Sequence, residues 1–271
     1  MRLSQEKLAG AGLIALVILF AAFFLLPFAG LAFRAAEERD FWDIVTGHEA
    51  RTALVLSLWT SSLATAAAVA VGTPVAYVLA RGRFRGRTLL DALVDLPVVL
   101  PPTVAGVALL TAFGREGLLG EPLEAWTGLT LGFTTAAVVM AQVLVGAPFF
   151  VRAAASGFAR LDDREVGVAY TLGASKLRVF RSLALPHAWP ALVAGIILCW
   201  SRAMGELGAT LIFAGNFEGR TRTMPLAIVS AFEGSDLGLG GAIAMSILLL
   251  IAALTALLLF RWLTALSGER R

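Results

Sequence analysis

The 271-residue chain is 58% hydrophobic and 15% charged, with a formal net charge of +3, whereas a soluble domain carries about 45–50% apolar residues. That composition excludes an ordinary water-soluble globular protein and describes a chain whose surface faces lipid. A single cysteine, Cys199, excludes a disulfide framework and a thiolate metal cluster, and its expected role is small apolar packing.

A bilayer core of about 30 Å needs about 20 mainly apolar residues per crossing helix. The stretches 11–33, 53–79, 92–113, 131–151, 191–213 and 240–263 meet that length. Lipid offers no partner to unpaired backbone groups, so these segments are helices and not open strands. The fold class is therefore all-α integral membrane, with six transmembrane helices in one domain spanning 1–271. The first apolar run is longer than the roughly 7–15 residues of a signal-peptide core, which favours an uncleaved first helix.

Basic residues gather on one side of this arrangement. Arg2 and Lys7 precede the first helix, and Arg81, Arg83, Arg85 and Arg87 follow the second. Arg152, Arg160, Arg164, Lys176, Arg178 and Arg181 follow the fourth, and Arg261, Arg270 and Arg271 close the chain. Cationic loops stay inside, so both termini and the 152–190 loop are expected in the cytoplasm.

In chain order, the first outer loop, 34–51, mixes acidic residues with Phe41 and Trp42 and reads as a short amphipathic segment at the outer interface. The second helix carries Ser57, Thr60, Ser61, Ser62, Thr65 and Gly72; small and hydroxylated residues allow close helix approach, so it belongs inside the bundle. The run RGRFRGR, 81–87, beside a membrane helix points to anionic lipid headgroups and not to nucleic acid. In the third helix, Asp91 and Asp95 precede Pro97, Pro101, Pro102 and Thr103. Prolines remove backbone donors and kink a helix, and such an interruption is either a structural kink or the lining of a pathway. The Gly-rich outer loop 114–120 predicts a compact re-entry or a surface turn, and Trp126 an interfacial anchor.

The fourth helix is plain apart from Gln142, expected to hydrogen-bond a neighbouring helix, and it is expected to end in Gly146-Ala147-Pro148-Phe149-Phe150. The charged stretch 162–190 is longer than a mere connection requires and reads as a docking element. Asp162 or Asp163 suits an N-cap, Glu165 a first helical turn, and Gly173 a helix stop. Ser175 then caps a second short helix reaching Leu183, and Pro186 with Pro190 opens the fifth span. In that span Arg202 and Glu206 stand four residues apart on one face, followed by Thr210. Charges at membrane depth are costly and face a bundle interior or a watery path. Two readings stand, a neutralising pair that locks helices together or a direct contact with a permeating ion. The polar stretch 214–228 predicts an ordinary outer loop, and the sixth helix a packing helix.

No catalytic set emerges. His48 and His187 fall on opposite sides of the membrane in this topology, so neither a metal site nor a proton relay is expected, and no cofactor is implied. There is no phosphate-binding Gly-rich loop ending in Lys-Ser or Lys-Thr, so nucleotide hydrolysis would have to come from a partner.

The 162–190 stretch resembles the EAA loop of ABC importer permeases. Gly173 stands at the motif glycine, Leu183 at the isoleucine, and Leu185-Pro186 at the terminal pair; Val168 and Ala169 stand at the two alanines, while Gly167 replaces the motif glutamate. The resemblance implies that Glu165, Val168, Ala169, Leu172, Gly173, Ala174, Leu185 and Pro186 couple the chain to an ATPase. Two further segments, 201–228 and 100–120, are similar to molybdate permeases and less closely to sulfate and tungstate permeases. That likeness implies the type I importer fold, a homodimer, two cytoplasmic ATPase subunits and an extracytoplasmic oxyanion-binding protein, in the inner or plasma membrane of a prokaryote. Pro101, Pro102, Thr103, Arg202, Glu206 and Thr210 are then the expected polar positions of the translocation path. Two rivals are an ATP-independent channel or secondary transporter that uses Arg202 and Glu206 as coupling charges, and a membrane enzyme, for which no acid, base and nucleophile are grouped.

Overall fold

The computed structural model describes residues 2–234 and 237–268; Arg270 and Arg271, expected in the cytoplasmic basic set, lie outside them. The described residues form helices α1 (Arg2–Glu37), α2 (Phe41–Thr46), α3 (His48–Arg81), α4 (Arg87–Val99), α5 (Pro102–Phe113), α6 (Gly120–Thr127), α7 (Thr135–Ala159), α8 (Asp163–Thr171), α9 (Lys176–Val179), α10 (Leu185–Met204), α11 (Gly208–Ala214), α12 (Met224–Gly234) and α13 (Gly238–Gly268), with a π turn over Phe180–Ala184 between α9 and α10. Five helical segments are long and apolar enough to cross a membrane, and α4 with α5 makes a sixth when counted as one broken span.

At the centre, α7 packs against α3 and α10. The stripe Ala64, Ala68, Gly72 and Ala76 on α3 is buried, and its repeat of four residues places it on one helical face. At Gly72 a Cβ would sit 2.9 Å from Phe150 Cδ1, so this approach depends on a missing side chain. The interior position expected for this helix is borne out, with Ser57, Thr60, Ser61 and Thr65 buried as well. One core cluster joins α3, α7 and α10 around Phe150 and Phe158. A second joins α5, α7 and α11 around Phe213, and a third holds α12 and α13 against the start of α3.

Four segments depart from the sequence expectation. The third span is two helices bent by 117°. A residue before proline is pushed to extended backbone, and Leu100 and Pro101, each followed by a proline, have ψ of 138° and 137°. The fourth helix does not stop near Pro148 but continues to Ala159. The fifth span starts much earlier than Ala191, at Lys176, and ends at Met204, with α11 as a separate piece. Pro186 and Pro190 therefore lie within a helix. Leu185 N–H already reaches back five residues to Phe180 O in the π turn, so the donor missing at Pro186 follows a register shift and does not break a regular ladder. Finally, 214–228 is not simply a loop, because Met224, Pro225, Leu226 and Ala227 begin α12 and are buried.

Candidate functional site

Two regions carry the polar chemistry. The first is the helix pair around α8. Asp162 accepts from Arg164 N–H at 2.8 Å and caps α8, as expected. At its far end, Gly173 has φ of +81°. Gly173 N–H donates to Tyr170 O at 3.0 Å and Ala174 N–H to Ala169 O at 2.9 Å, the paired bonds of a left-handed C-terminal cap. A Cβ at Gly173 would meet nothing within 4 Å. The glycine is thus required for backbone conformation and not for space. Ser175 in turn accepts from Arg178 N–H and caps α9.

This cap presents Leu172, 81% exposed, at the tip of the turn. Beside it an open groove of about 450 Å3 is lined by Arg164, Glu165, Val168, Ala169, Leu172 and Leu183. Five of the expected coupling positions thus come together: Glu165, Val168, Ala169 and Leu172 line the groove, and Gly173 adjoins it. Leu185 and Pro186 are partly buried at the start of α10 and act as its base. Gly167 is exposed with open space around it and contributes no side chain.

Two ionic contacts were missed by the sequence reading: the first ties this region to the bundle, and the second joins two helices within the bundle. Arg81, in the last turn of α3, donates from Nη1 to Leu161 O at 2.7 Å and from Nη2 to the Asp163 carboxylate. Arg152 on α7 reaches α4 with its whole fork: Nη1 to Asp91 Oδ1 at 2.6 Å, Nε to Asp95 Oδ1 at 2.6 Å, and Nη2 to Asp91 O at 3.0 Å. Asp91 and Asp95 are four apart and share a helical face, which was the available signal; which arginine they would meet depended on packing. Near the start of α3, Arg222 links Glu49 to Asn216, whose amide reaches Ser230 on α12. Outside the spans, a hydrogen bond from Arg115 to Glu124, and then the Glu124 charge, raises the Arg115 guanidinium above its ordinary value.

The second region lies at the breaks in the spans. Arg202 Nη1 meets Glu206 Oε2 at 2.9 Å, as the spacing suggested. Their backbone setting differs from expectation: α10 ends at Met204, so Glu206 is in the break and not on a continuous helical face. Glu206 is 1% exposed, and its Oε1 accepts from Ala209 N–H at 2.8 Å, which satisfies one free donor at the start of α11. The starts of α5 and α11 touch, since a Cβ at Gly208 would lie 2.7 Å from Pro102 Cβ. Pro101, Pro102 and Thr103 are exposed at this break. Thr210 is instead fully buried, with no hydrogen-bond partner for its hydroxyl. Gln142 likewise departs from expectation: it is 1% exposed and neither amide atom has a partner, so no interhelical bond forms.

Among the described residues no group of three or more His, Cys, Asp or Glu side chains is placed to hold a metal ion.

Comparison with known proteins gives a consistent picture. The family described as "Binding-protein-dependent transport system inner membrane component" matches residues 72–270. The Molybdenum transport system permease protein ModB of Mycobacterium tuberculosis is 44% identical over 234 residues, 85% of this chain and 86% of that protein. The protein of the same name from Escherichia coli K12 is 38% identical over 218 residues, covering 80% and 95%. A bacterial alginate ABC transporter, solved in complex with an alginate pentasaccharide-bound periplasmic protein, superposes with a TM-score of 0.75 at 15% identity, covering 95% of this chain and 93% of that one. At that identity the likeness is one of fold alone.

Proposed function

The chain belongs to the family of binding-protein-dependent transport system inner membrane components and is a multi-pass permease subunit of an ABC transporter, and we propose that this transporter imports an oxyanion, molybdate before tungstate or sulfate. The observation that carries the substrate is the similarity to molybdenum permeases along most of both chains. ATP is hydrolysed by a separate ATPase partner. The full assembly we propose is a homodimer of this chain in a prokaryotic inner membrane, with two cytoplasmic ATPase subunits, an extracytoplasmic oxyanion-binding protein and both termini in the cytoplasm.

In this reading the whole chain is one transmembrane domain, and α8 with its left-handed cap is the coupling element. Leu172 and the groove beside it form an apolar knob and socket for a cleft on the ATPase. Glu165 supplies the acidic charge that Gly167 lacks. Closure of the ATPase dimer on ATP moves α8, and Arg81 passes that motion to α3 while α7 continues directly into the loop before it. Pro101, Pro102, Thr103, Arg202 and Glu206 flank the path, and Thr210 supports it from within. The binding protein releases its dianion into the outward-open bundle, and hydrolysis returns the bundle to the inward-open state.

The test is import of radiolabelled molybdate, tungstate and sulfate by the complete transporter in liposomes, with ATP hydrolysis measured alongside. Molybdate is expected to stimulate hydrolysis most, and transport that survives ATP depletion defeats the assignment. Gly173→Glu, which forces a side chain into left-handed backbone at a cost of about 1–2 kcal/mol and adds charge beside Leu172, is expected to abolish ATPase assembly. Unchanged assembly and transport would sink the coupling role of α8.

A further inference from the structure

Beside the break between α4 and α5 lies a partly enclosed cavity of about 110 Å3. Pro97, Leu100 and Pro102 line it from the break and Val145 and Phe149 from α7, and Arg202 is its charged wall. Val145 and Phe149 lie near the middle of α7, which places the cavity near half the depth of the bundle. Broken backbone at such depth is tolerated where protein or a watery cavity satisfies it.

The size and chemistry of this space select a ligand class. A water occupies about 30 Å3, so the cavity holds three or four waters, or one tetrahedral anion with four oxygens of about that size. A guanidinium has five N–H donors in a fork that suits paired oxygens, and Arg202 meets Glu206 through Nη1 while its side chain lines the cavity. Glu206 is buried and held through its second oxygen by Ala209 N–H, so it is anchored to α11 while Arg202 faces the cavity.

That fixed counter-charge sets the depth of the well. A lone guanidinium in a low-dielectric site would hold a dianion strongly, since Coulomb attraction rises as solvent is excluded. A permeating ion must bind well enough to arrive and weakly enough to leave. We propose that this cavity is a transient site for a tetrahedral dianionic oxyanion in transit, with Arg202 touching the anion and Glu206 keeping the stay short. The proposal rests on the oxyanion-import reading above.

The experiment uses the complete transporter in liposomes for import, and the permease–ATPase complex without binding protein for equilibrium binding of radiolabelled molybdate. Glu206→Gln keeps an acceptor for Ala209 N–H while removing the counter-charge. It is expected to tighten molybdate binding about tenfold and to slow saturated import several-fold. Arg202→Gln is expected to abolish that binding and to lower import at least tenfold. Leu100→Phe fills the cavity and leaves both charges in place; it is expected to behave like Arg202→Gln, and it decides the matter where a Gln variant fails to assemble. Equal binding in all three variants, or weaker binding in Glu206→Gln, overturns the site. A wild-type transporter that imports none of molybdate, tungstate and sulfate defeats the oxyanion reading itself, whereas wild-type import with unchanged variants defeats only this site.

Discussion

Arg81→Ala removes the ionic contact between α3 and the start of α8, and its cost follows from the two bonds lost. A hydrogen bond from a charged donor contributes about 1.5–3 kcal/mol. The Arg81 side chain is 18% exposed, and its bond to Leu161 O is of this kind. Asp163 is 82% exposed, and solvent screens such a pair to about 0–1 kcal/mol. Arg81→Ala is therefore expected to cost about 2–3 kcal/mol of local order, and Asp163→Ala no more than about 1 kcal/mol. Local opening is read by amide exchange. Exchange in a peptide covering α8 should quicken by about 30-fold or more in Arg81→Ala, since one or two kcal/mol is a factor of 5–30, and only a few-fold in Asp163→Ala. Transport per ATP hydrolysed should fall in the same order. Unchanged α8 exchange in Arg81→Ala, or an equal effect from Asp163→Ala, would refute the view that the carbonyl contact positions α8.

Packing between α7 and α10 depends on Gly157, where a Cβ would lie 2.6 Å from Ala191 Cβ and 3.2 Å from Ala188 Cβ. Gly157→Val should destabilise the purified protein by about 1–3 kcal/mol through overpacking, seen as a lower thermal unfolding midpoint in detergent. Gly167→Ala is the contrasting substitution: its surroundings are open and the position is inside α8, so it should gain up to about 1 kcal/mol in helix propensity. Gln142→Leu should raise the unfolding midpoint, because removing a buried amide without partners recovers about 1–3 kcal/mol of desolvation; a lowered midpoint would mean the amide is in fact paired.

Much of the site was legible because its signals are local. A cap needs a short acceptor side chain before a helix, and Asp162 and Ser175 are such residues in the right place. A left-handed stop needs glycine, which marks Gly173. The Arg202–Glu206 contact was expected from spacing, yet Glu206 turned out to serve two neighbours at once, Arg202 and the first turn of α11. The second role depends on where α10 ends, and hydropathy runs smoothly through that end. Gln142 misled for the opposite reason: a polar residue among apolar ones implies a partner, but whether one is within reach is a matter of three-dimensional neighbours.

Composition and hydropathy alone determined that this is a helical membrane protein, which segments are apolar enough to cross, and where its charged loop lies. Those properties follow from transfer energies that act residue by residue, whatever the neighbours. Only the tertiary structure decided that the third span folds back at 117°, that the fifth begins at Lys176, and that Arg152 and Arg81 each bind elements distant in sequence. A proline shows that a helix is weakened at a point but not the angle it adopts, because that angle is set by what packs on either side. An arginine likewise shows a charge in need of a partner, and the partner is chosen by the fold.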